Sequence, residues 1–355
     1  MKSVRFILTL FVFVMFGSFT LAQSPSGTIT LYTSESEQQV NEMVTLFNAA
    51  YPDVAVEIFR AGTGEVIAKL QAEMEAGEIL ADVLWFADID FFTGLAEEDM
   101  LVSYIPAATE GVNDAFTYMD GAFHEVRLIF NVVAYNTTLV DEAPTSWFDL
   151  TNPAYNGLVT MPSALVSGAA FNQFGTFVNT EAFGIAFYEQ LNENGIVVER
   201  ANGAVSEKIA SGEYAIGQLV DFFARNAAAA GSPVSYVYPV EGAMLIPTPV
   251  GILANTDNLE GAQAFLDFLY TAEAQELFVA QSYIPVLEGV ALPEGLEDAI
   301  VMNEMAPEAT AEPMESLIAG LPGLTIIMPD LEYIRENREA LRQQFEDLFG
   351  APPAN

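Results

Sequence analysis

The sequence predicts a two-lobed α/β protein, each lobe a mostly parallel sheet flanked by helices, with two extended segments carrying the chain between the lobes. Three observations predict it. At 355 residues the chain is longer than one core ordinarily serves. Strand-like and helix-like periodicities alternate in two separate stretches, the rhythm of parallel sheets covered on both faces. Two long extended apolar runs, Leu128 to Asn136 and Met244 to Asn255, divide those stretches. Two passages of the chain imply a hinge.

The elements follow in order. Lys2 and Arg5 precede an apolar run from Phe6 to Phe16, and Thr20-Leu21-Ala22 offers small residues ahead of Gln23, so residues 1–22 are expected to be a cleaved export signal. A membrane anchor would want about 20 apolar residues, and Gly17, Ser18 and Thr20 interrupt this one. Thr28 to Tyr32 then alternates as a strand. Ser36-x-x-Gln39 forms a capping box ahead of a helical stripe of Val40, Met43, Val44 and Phe47. Val54 to Phe59 is a second strand, Gly62-Thr63-Gly64 a turn, and Ile67, Leu70 and Met74 the face of a second helix; Ala81 to Phe86 is a third strand. The second stretch runs from the strand Gly157 to Met161 through Ser167-Gly168 into a helix with Phe171, Phe174 and Val178. A helix opened by Asn202-Gly203 carries Val205 and Ile209 and stops at Gly212; the strand Tyr214 to Leu219 and a helix after Asp221 follow. Beyond the second extended run lie a helix with Ala262, Phe265, Leu266 and Leu269, an acidic loop around Glu308 to Glu315, and a terminal helix with Ile334, Leu341, Phe345 and Leu348. Residues 23–130 and 250–290 are expected to form one lobe, 131–249 the other, and 291–355 a helical segment packed across both.

Composition removes whole classes of function. With no cysteine there is no disulfide, thiolate metal site or lipidated cleavage point, and the single histidine, His124, leaves no histidine cluster. Forty-nine acidic against 11 basic residues give a net charge of −38, and −40 once Lys2 and Arg5 leave with the signal. Such a chain repels nucleic acid. Its self-repulsion would fade with salt, which fits a saline habitat, although an acidic surface also simply keeps an exported protein soluble. No nucleophile elbow, phosphate-binding loop or paired-histidine metal motif occurs. A carboxylate pair such as Asp88 with Asp221 is the sole enzyme-like arrangement on offer.

Against this background the strand Ile29-Thr30-Leu31-Tyr32-Thr33-Ser34, the stretch Ala81-Asp82-Val83-Leu84-Trp85 and the later Ala134-Tyr135-Asn136-Thr137 resemble the solute-binding proteins of ABC importers. The resemblance spans nearly the whole chain after the signal and is to the ferric-iron-type branch, which includes binders of phosphonates and phosphorylated sugars. It implies the two-lobed type II periplasmic-binding-protein fold, a small solute in the interlobe cleft, a permease partner in the inner membrane, a periplasmic monomer, no catalysis and no cofactor. Ferric binders of the branch place two adjacent tyrosines where this chain has Val220-Asp221-Phe222-Phe223, a histidine at about Ser36 and a glutamate at about Ala87. All three metal positions differ here.

The branch's anion half-site is retained. Ser167-Gly168-Ala169 matches the turn at which relatives hold an anion against a helix start, and Asn202 a second such position. The first amides of a helix are unpaired and partly positive, so a small-residue turn lets an anion approach them. Ser34, Ser36, Thr63 and Gly64 lie at equivalent strand ends of the other lobe. The resemblance places an acid at Asp221 facing the far end of the solute, with Glu241 near a second, so the expected solute is a phosphorylated sugar or an aminoalkylphosphonate. Plainer roles stand beside these: Ser36, Ser167, Asn202 and Asp221 all suit helix capping, Glu241 suits a solvated loop, and Trp85, Phe86, Phe91 and Phe92 suit the core. His124 and Arg127 stand close enough to the first passage to reach the cleft. Tyr236 and Tyr238, two apart on one strand face, are the alternative oxygen donors for a metal ion.

Overall fold

The computed structural model describes residues 24–107, 112, 114–300 and 324–351. The expected export signal and the acidic loop around Glu308 to Glu315 lie outside them. In chain order the elements are β1 (Gly27–Thr33), α1 (Glu37–Ala50), β2 (Val54–Arg60), α2 (Thr63–Ala76), β3 (Val83–Trp85), α3 (Ile89–Glu97), β4 (Thr117–Tyr118), β5 (Phe123–His124), β6 (Arg127–Leu128) and β7 (Phe130–Asn136). There follow β8 (Val159–Pro162), α4 (Gly168–Val178), α5 (Gly184–Glu193), β9 (Val197–Glu199), α6 (Asn202–Ser211), β10 (Ile216–Val220), α7 (Asp221–Ala229), β11 (Val234–Val237), β12 (Ala243–Leu245) and β13 (Val250–Ile252). The last are α8 (Leu259–Leu269), α9 (Ala272–Ala280), β14 (Ile284–Pro285), β15 (Ile326–Ile327) and α10 (Leu331–Phe349).

The first lobe is built on a sheet of order β2-β1-β3-β13-β5-β4, in which β1 runs parallel to β2 and β3 while β13 returns antiparallel to β3. Alternation along β1 sends Ile29 and Leu31 to one face and Tyr32 to the other. The first face meets α1 through Val40, Met43, Val44 and Phe47, the stripe its spacing predicts, and Phe47 packs edge-on against Phe265 of α8 with centroids 5.1 Å apart. The second face is closed by Val66, Ile67 and Leu70 of α2 and Ile89, Phe92 and Leu95 of α3. The second lobe has a sheet of order β15-β12-β7-β10-β8-β9, with β11 also on β7; β8 runs parallel to β9 and β10, and β7 antiparallel to β10. Ten buried positions of α4 and the apolar face of α6, Val205 and Ile209, cover it.

The extended apolar runs do join the lobes, but most of each belongs to a sheet. Only Ile129 separates β6 from β7, and only residues 246–249 separate β12 from β13. The two passages are tied together, Ile246 N donating to the Ile129 carbonyl at 3.0 Å. A third passage was not anticipated: Leu287 bridges Val112 beside the first lobe, and Ile300 bridges Tyr238 beside the second. Helix α10 bridges the lobes again. Its Ile334, Leu341 and Phe345 are buried, Phe345 edge-on to Phe174 of α4 at 5.2 Å, whereas it reaches α3 of the first lobe through charge, with Arg338 on Asp88 and Asp90 and Arg335 on Glu97.

Candidate functional site

In both lobes the parallel strands point their carboxyl ends, and hence the following helix starts, at the space between the lobes. The ends of β1, β2, β8, β9 and β10 deliver the openings of α1, α2, α4, α6 and α7 to one cavity of about 550 Å³. Its walls include Ser34, Ser36 and Thr63 from the first lobe and Ser167, Gly168, Ala169 and Asn202 from the second. These expected residues are brought together across an interlobe contact. At Gly168 a Cβ would be driven into the carbonyl oxygen of Ala87 and would lie 2.9 Å from Thr63 Oγ1, so the lobes meet there backbone to backbone. A cross-lobe ion pair, Arg200 to Glu65 at 2.7 Å, flanks the contact.

Local chemistry fixes the polar groups. Ser167 caps α4, its Oγ accepting from Ala170 N at 3.3 Å, and receives a hydrogen bond from Asn202 Nδ2 at 3.1 Å. Asn202 is not a cap but the first residue of α6; its Oδ1 accepts from Val220 N at 3.1 Å, tying the α6 start to the end of β10. Ser36 stands at the N-cap of α1 without a side-chain cap bond. It is one of the residues that line the cavity.

Four expected site residues are placed elsewhere. Gly64 and Asp88 line a smaller adjoining cavity of about 170 Å³, which shares Thr63, Ser167 and Gly168 with the larger one. Asp88 is engaged there: it caps α3, accepting from Phe91 N at 3.0 Å, and takes both Arg338 Nη atoms at 2.6 and 2.8 Å. Asp221 must be corrected. As the first residue of α7 it turns its carboxylate toward the sheet, where it is fully buried and accepts from Phe130 N at 3.2 Å and Tyr238 Oη at 2.9 Å. Arg225, one turn along, pairs with it at 2.9 Å. Nothing is left to face a solute. Glu241 is likewise corrected: it binds Ser146 Oγ and accepts from Trp147 N at 3.2 Å, holding a short helical turn of the second lobe. Asp88 and Asp221 therefore share no cavity, so the carboxylate pair that an enzyme reading required is not assembled.

Tyr236 and Tyr238 are also off the cavity. Their rings pack edge-on, centroids 5.7 Å apart, and burial pushes both hydroxyls upward, against the phenolate form a metal would want. Phe222 and Phe223, at the positions where the resemblance implies the tyrosines of ferric binders, line the cavity. Among the described residues no group of three or more histidine, aspartate or glutamate side chains is placed to hold a metal ion.

Sequence reasoning missed Arg60, Arg200 and Thr248 as cavity residues, together with Glu35. Arg60 and Arg200 directly end or follow strands, so the strand-end rule that selected Thr63 and Asn202 would have found them. Arg127 does reach the cavity. It is 1% exposed, paired with Glu35, 3.8 Å from the Tyr283 ring centroid, and bonded to Thr248 Oγ1 at 3.3 Å. His124 does not line the cavity; it is buried with Nε2 donating to Tyr104 O at 2.8 Å, and burial lowers its pKa.

The likeness to known proteins agrees with this architecture. A periplasmic binding protein of Actinobacillus pleuropneumoniae, solved with exogenous fructose-6-phosphate bound, superposes with a TM-score of 0.74 at 21% identity over 91% of this chain and 99% of that one. The apo ferric ion-binding protein A of Pasteurella haemolytica superposes with 0.70 at 17% identity over 90% and 97%. A gamma-aminobutyric acid-binding protein of Pseudomonas aeruginosa is 24% identical, with 81% of this chain and 83% of that protein covered. No helix among the described residues is long and apolar enough to cross a membrane. Residues 42–304 match the family described as bacterial extracellular solute-binding protein, and with two lobes closed on a cavity at their strand ends, the chain belongs to that family.

Proposed function

We propose that the protein is the periplasmic capture component of an ABC importer, exported by its N-terminal signal, and that it delivers a small phosphorylated solute of the sugar-phosphate type to an inner-membrane permease as a monomer. The observation that carries this reading is the convergence of five helix starts on one cavity of about 550 Å³, within the roughly 300–1,000 Å³ of small-molecule sites. Unpaired helix-start amides favour an anion. The bonded pair Ser167 and Asn202 offers a fixed seat for its head. An aminoalkylphosphonate loses support, because Asp221 and Glu241, the acids expected to read its ammonium, are occupied away from the cavity.

A thermal-shift screen tests the reading, since a ligand bound only by the native state raises Tm by mass action. Glucose 6-phosphate and fructose 6-phosphate should raise Tm where inorganic phosphate, putrescine and ferric citrate do not. Ser167→Ala should weaken the bound sugar phosphate by about 1.5–3 kcal/mol, a lost hydrogen bond to a charged group. Its loss as a cap would lower Tm of the free protein separately, by about 1 kcal/mol of stability. Unchanged affinity in Ser167→Ala would reduce that hydroxyl to a cap, and a response to putrescine or ferric citrate alone would overturn the anionic reading.

A further inference from the structure

The wall of the larger cavity carries three arginines, Arg60, Arg127 and Arg200, against two acids, Glu35 and Glu65. Among the described residues every lysine and arginine other than Arg60 and Arg342 has a carboxylate oxygen within 4.0 Å. In so acidic a chain an arginine without a carboxylate is unusual, and both exceptions stand where the lobes meet: Arg60 in the wall of the larger cavity, Arg342 in that of the smaller. The acids of the larger cavity show the reverse. Glu35 is paired with Arg127 and Glu65 with Arg200, so no cavity carboxylate is left without a cation. The wall therefore carries an excess of positive charge on the side of the first lobe, opposite the α4 and α6 starts. Arg60 is anchored for this: its Nε donates to the Glu35 carbonyl at 2.9 Å, while both Nη groups make no hydrogen bond within the described residues. Nearby, Arg127 is buried against the same cavity with its Nε unpartnered.

We infer that the cavity selects a two-headed anion, a solute whose phosphate sits at the Ser167 and Asn202 helix starts and whose second acidic group, a carboxylate or another phosphate, is met by Arg60 beside the α2 start. The inference rests on the anionic reading above and adds the second acid. A guanidinium with free paired donors takes a carboxylate bidentately. An ammonium at that end would meet a cation that has no carboxylate partner, and a plain hydroxyl would offer the exposed guanidinium no charge to pair with.

Calorimetry on the mature chain distinguishes these cases, with 6-phosphogluconate and 3-phosphoglycerate against glucose 6-phosphate and glycerol 3-phosphate, and 2-aminoethylphosphonate as the cationic-tail control. In each size-matched pair the phosphorylated acid should bind at least tenfold more tightly than its neutral-tailed partner, and 2-aminoethylphosphonate should bind most weakly. Arg60→Gln should erase the tenfold preference, the phosphorylated acids losing at least tenfold more affinity than the neutral-tailed phosphates. Equal affinities within both pairs, or an Arg60→Gln loss shared by acid and neutral tails alike, would overturn the second-acid assignment and leave the phosphate seat standing. Failure of every phosphorylated compound to bind, with putrescine or ferric citrate bound instead, would overturn the anionic reading and this inference with it.

Discussion

Replacing Gly168 by valine should abolish solute capture, with affinity falling at least a hundredfold, while the protein still folds. The reason is steric and confined to the closed state. Gly168 opens α4 without a positive φ, so another residue accepts its backbone conformation, yet any Cβ there is forced onto the Ala87 carbonyl and Thr63 Oγ1 of the opposite lobe. A backbone carbonyl cannot swing aside as a flexible side chain can, so the lobes must stay apart. A ligand shifts the open–closed balance only by its greater contact with the closed form, and valine removes that form. Small-angle scattering should show the parent contracting on saturation with its ligand and Gly168→Val keeping one larger radius throughout. A variant that contracts and binds like the parent would mean that the bound state does not use this contact.

The second large effect concerns stability. Glu125 lies in the stretch leading to the first passage, buried, with Oε2 accepting from Thr248 N of the second passage at 2.9 Å and Oε1 without a partner among the described residues. Burial pushes its carboxyl from 4.5 up to about 8, against the opposing influence of the Thr248 amide and Arg127, and Glu35 pushes the same way as burial. Tyr118 and Tyr270 are the other titratable groups coupled to it, and burial holds both of their hydroxyls in the neutral form. A carboxyl raised in the folded state stabilises the fold below the unfolded pKa, and this contribution is lost as pH climbs from 4.5 through about 8. Glu125→Gln keeps the acceptor for Thr248 and removes the ionisation. It should match the parent near pH 4.5 and exceed it above pH 8 by on the order of 5 kcal/mol, from the displacement at 1.36 kcal/mol per pH unit. His124, whose pKa burial lowers, pulls in the opposite direction below pH 6.5, but it is common to both proteins and cancels in the difference. Denaturant unfolding of both proteins across pH 4.5–9 measures it; parallel curves would place an ionised Glu125 in the fold.

What the sequence made legible was whatever local periodicity and chain order control. Val40, Met43, Val44 and Phe47 faced inward as spaced, and Ser34, Ser36, Thr63, Ser167 and Asn202 met because parallel strands deliver their ends to one place. Asp221 was misplaced for a reason the same rule cannot see. It also follows a strand end, but the rule fixes position and not side-chain direction; a buried arginine one turn later and a tyrosine hydroxyl drew its carboxylate into the second lobe. Glu241 was misread because its partners, Ser146 and Trp147, lie almost a hundred residues earlier. Arg127 reached the cavity through contacts with Glu35, Trp85, Thr248 and Tyr283, which only the tertiary fold brings together.

The hydrogen bond from Ile246 to Ile129 has a consequence for how exchange with solvent should be distributed along the chain. It joins the two shortest connections between the lobes, where a rotation displaces atoms least. The Ile246 amide should therefore exchange deuterium at the same slow rate with and without solute, as the pivot of a door stays still while its edge sweeps. The amides of Gly168 and Ala169, at the sweeping edge, should slow sharply once the lobes shut.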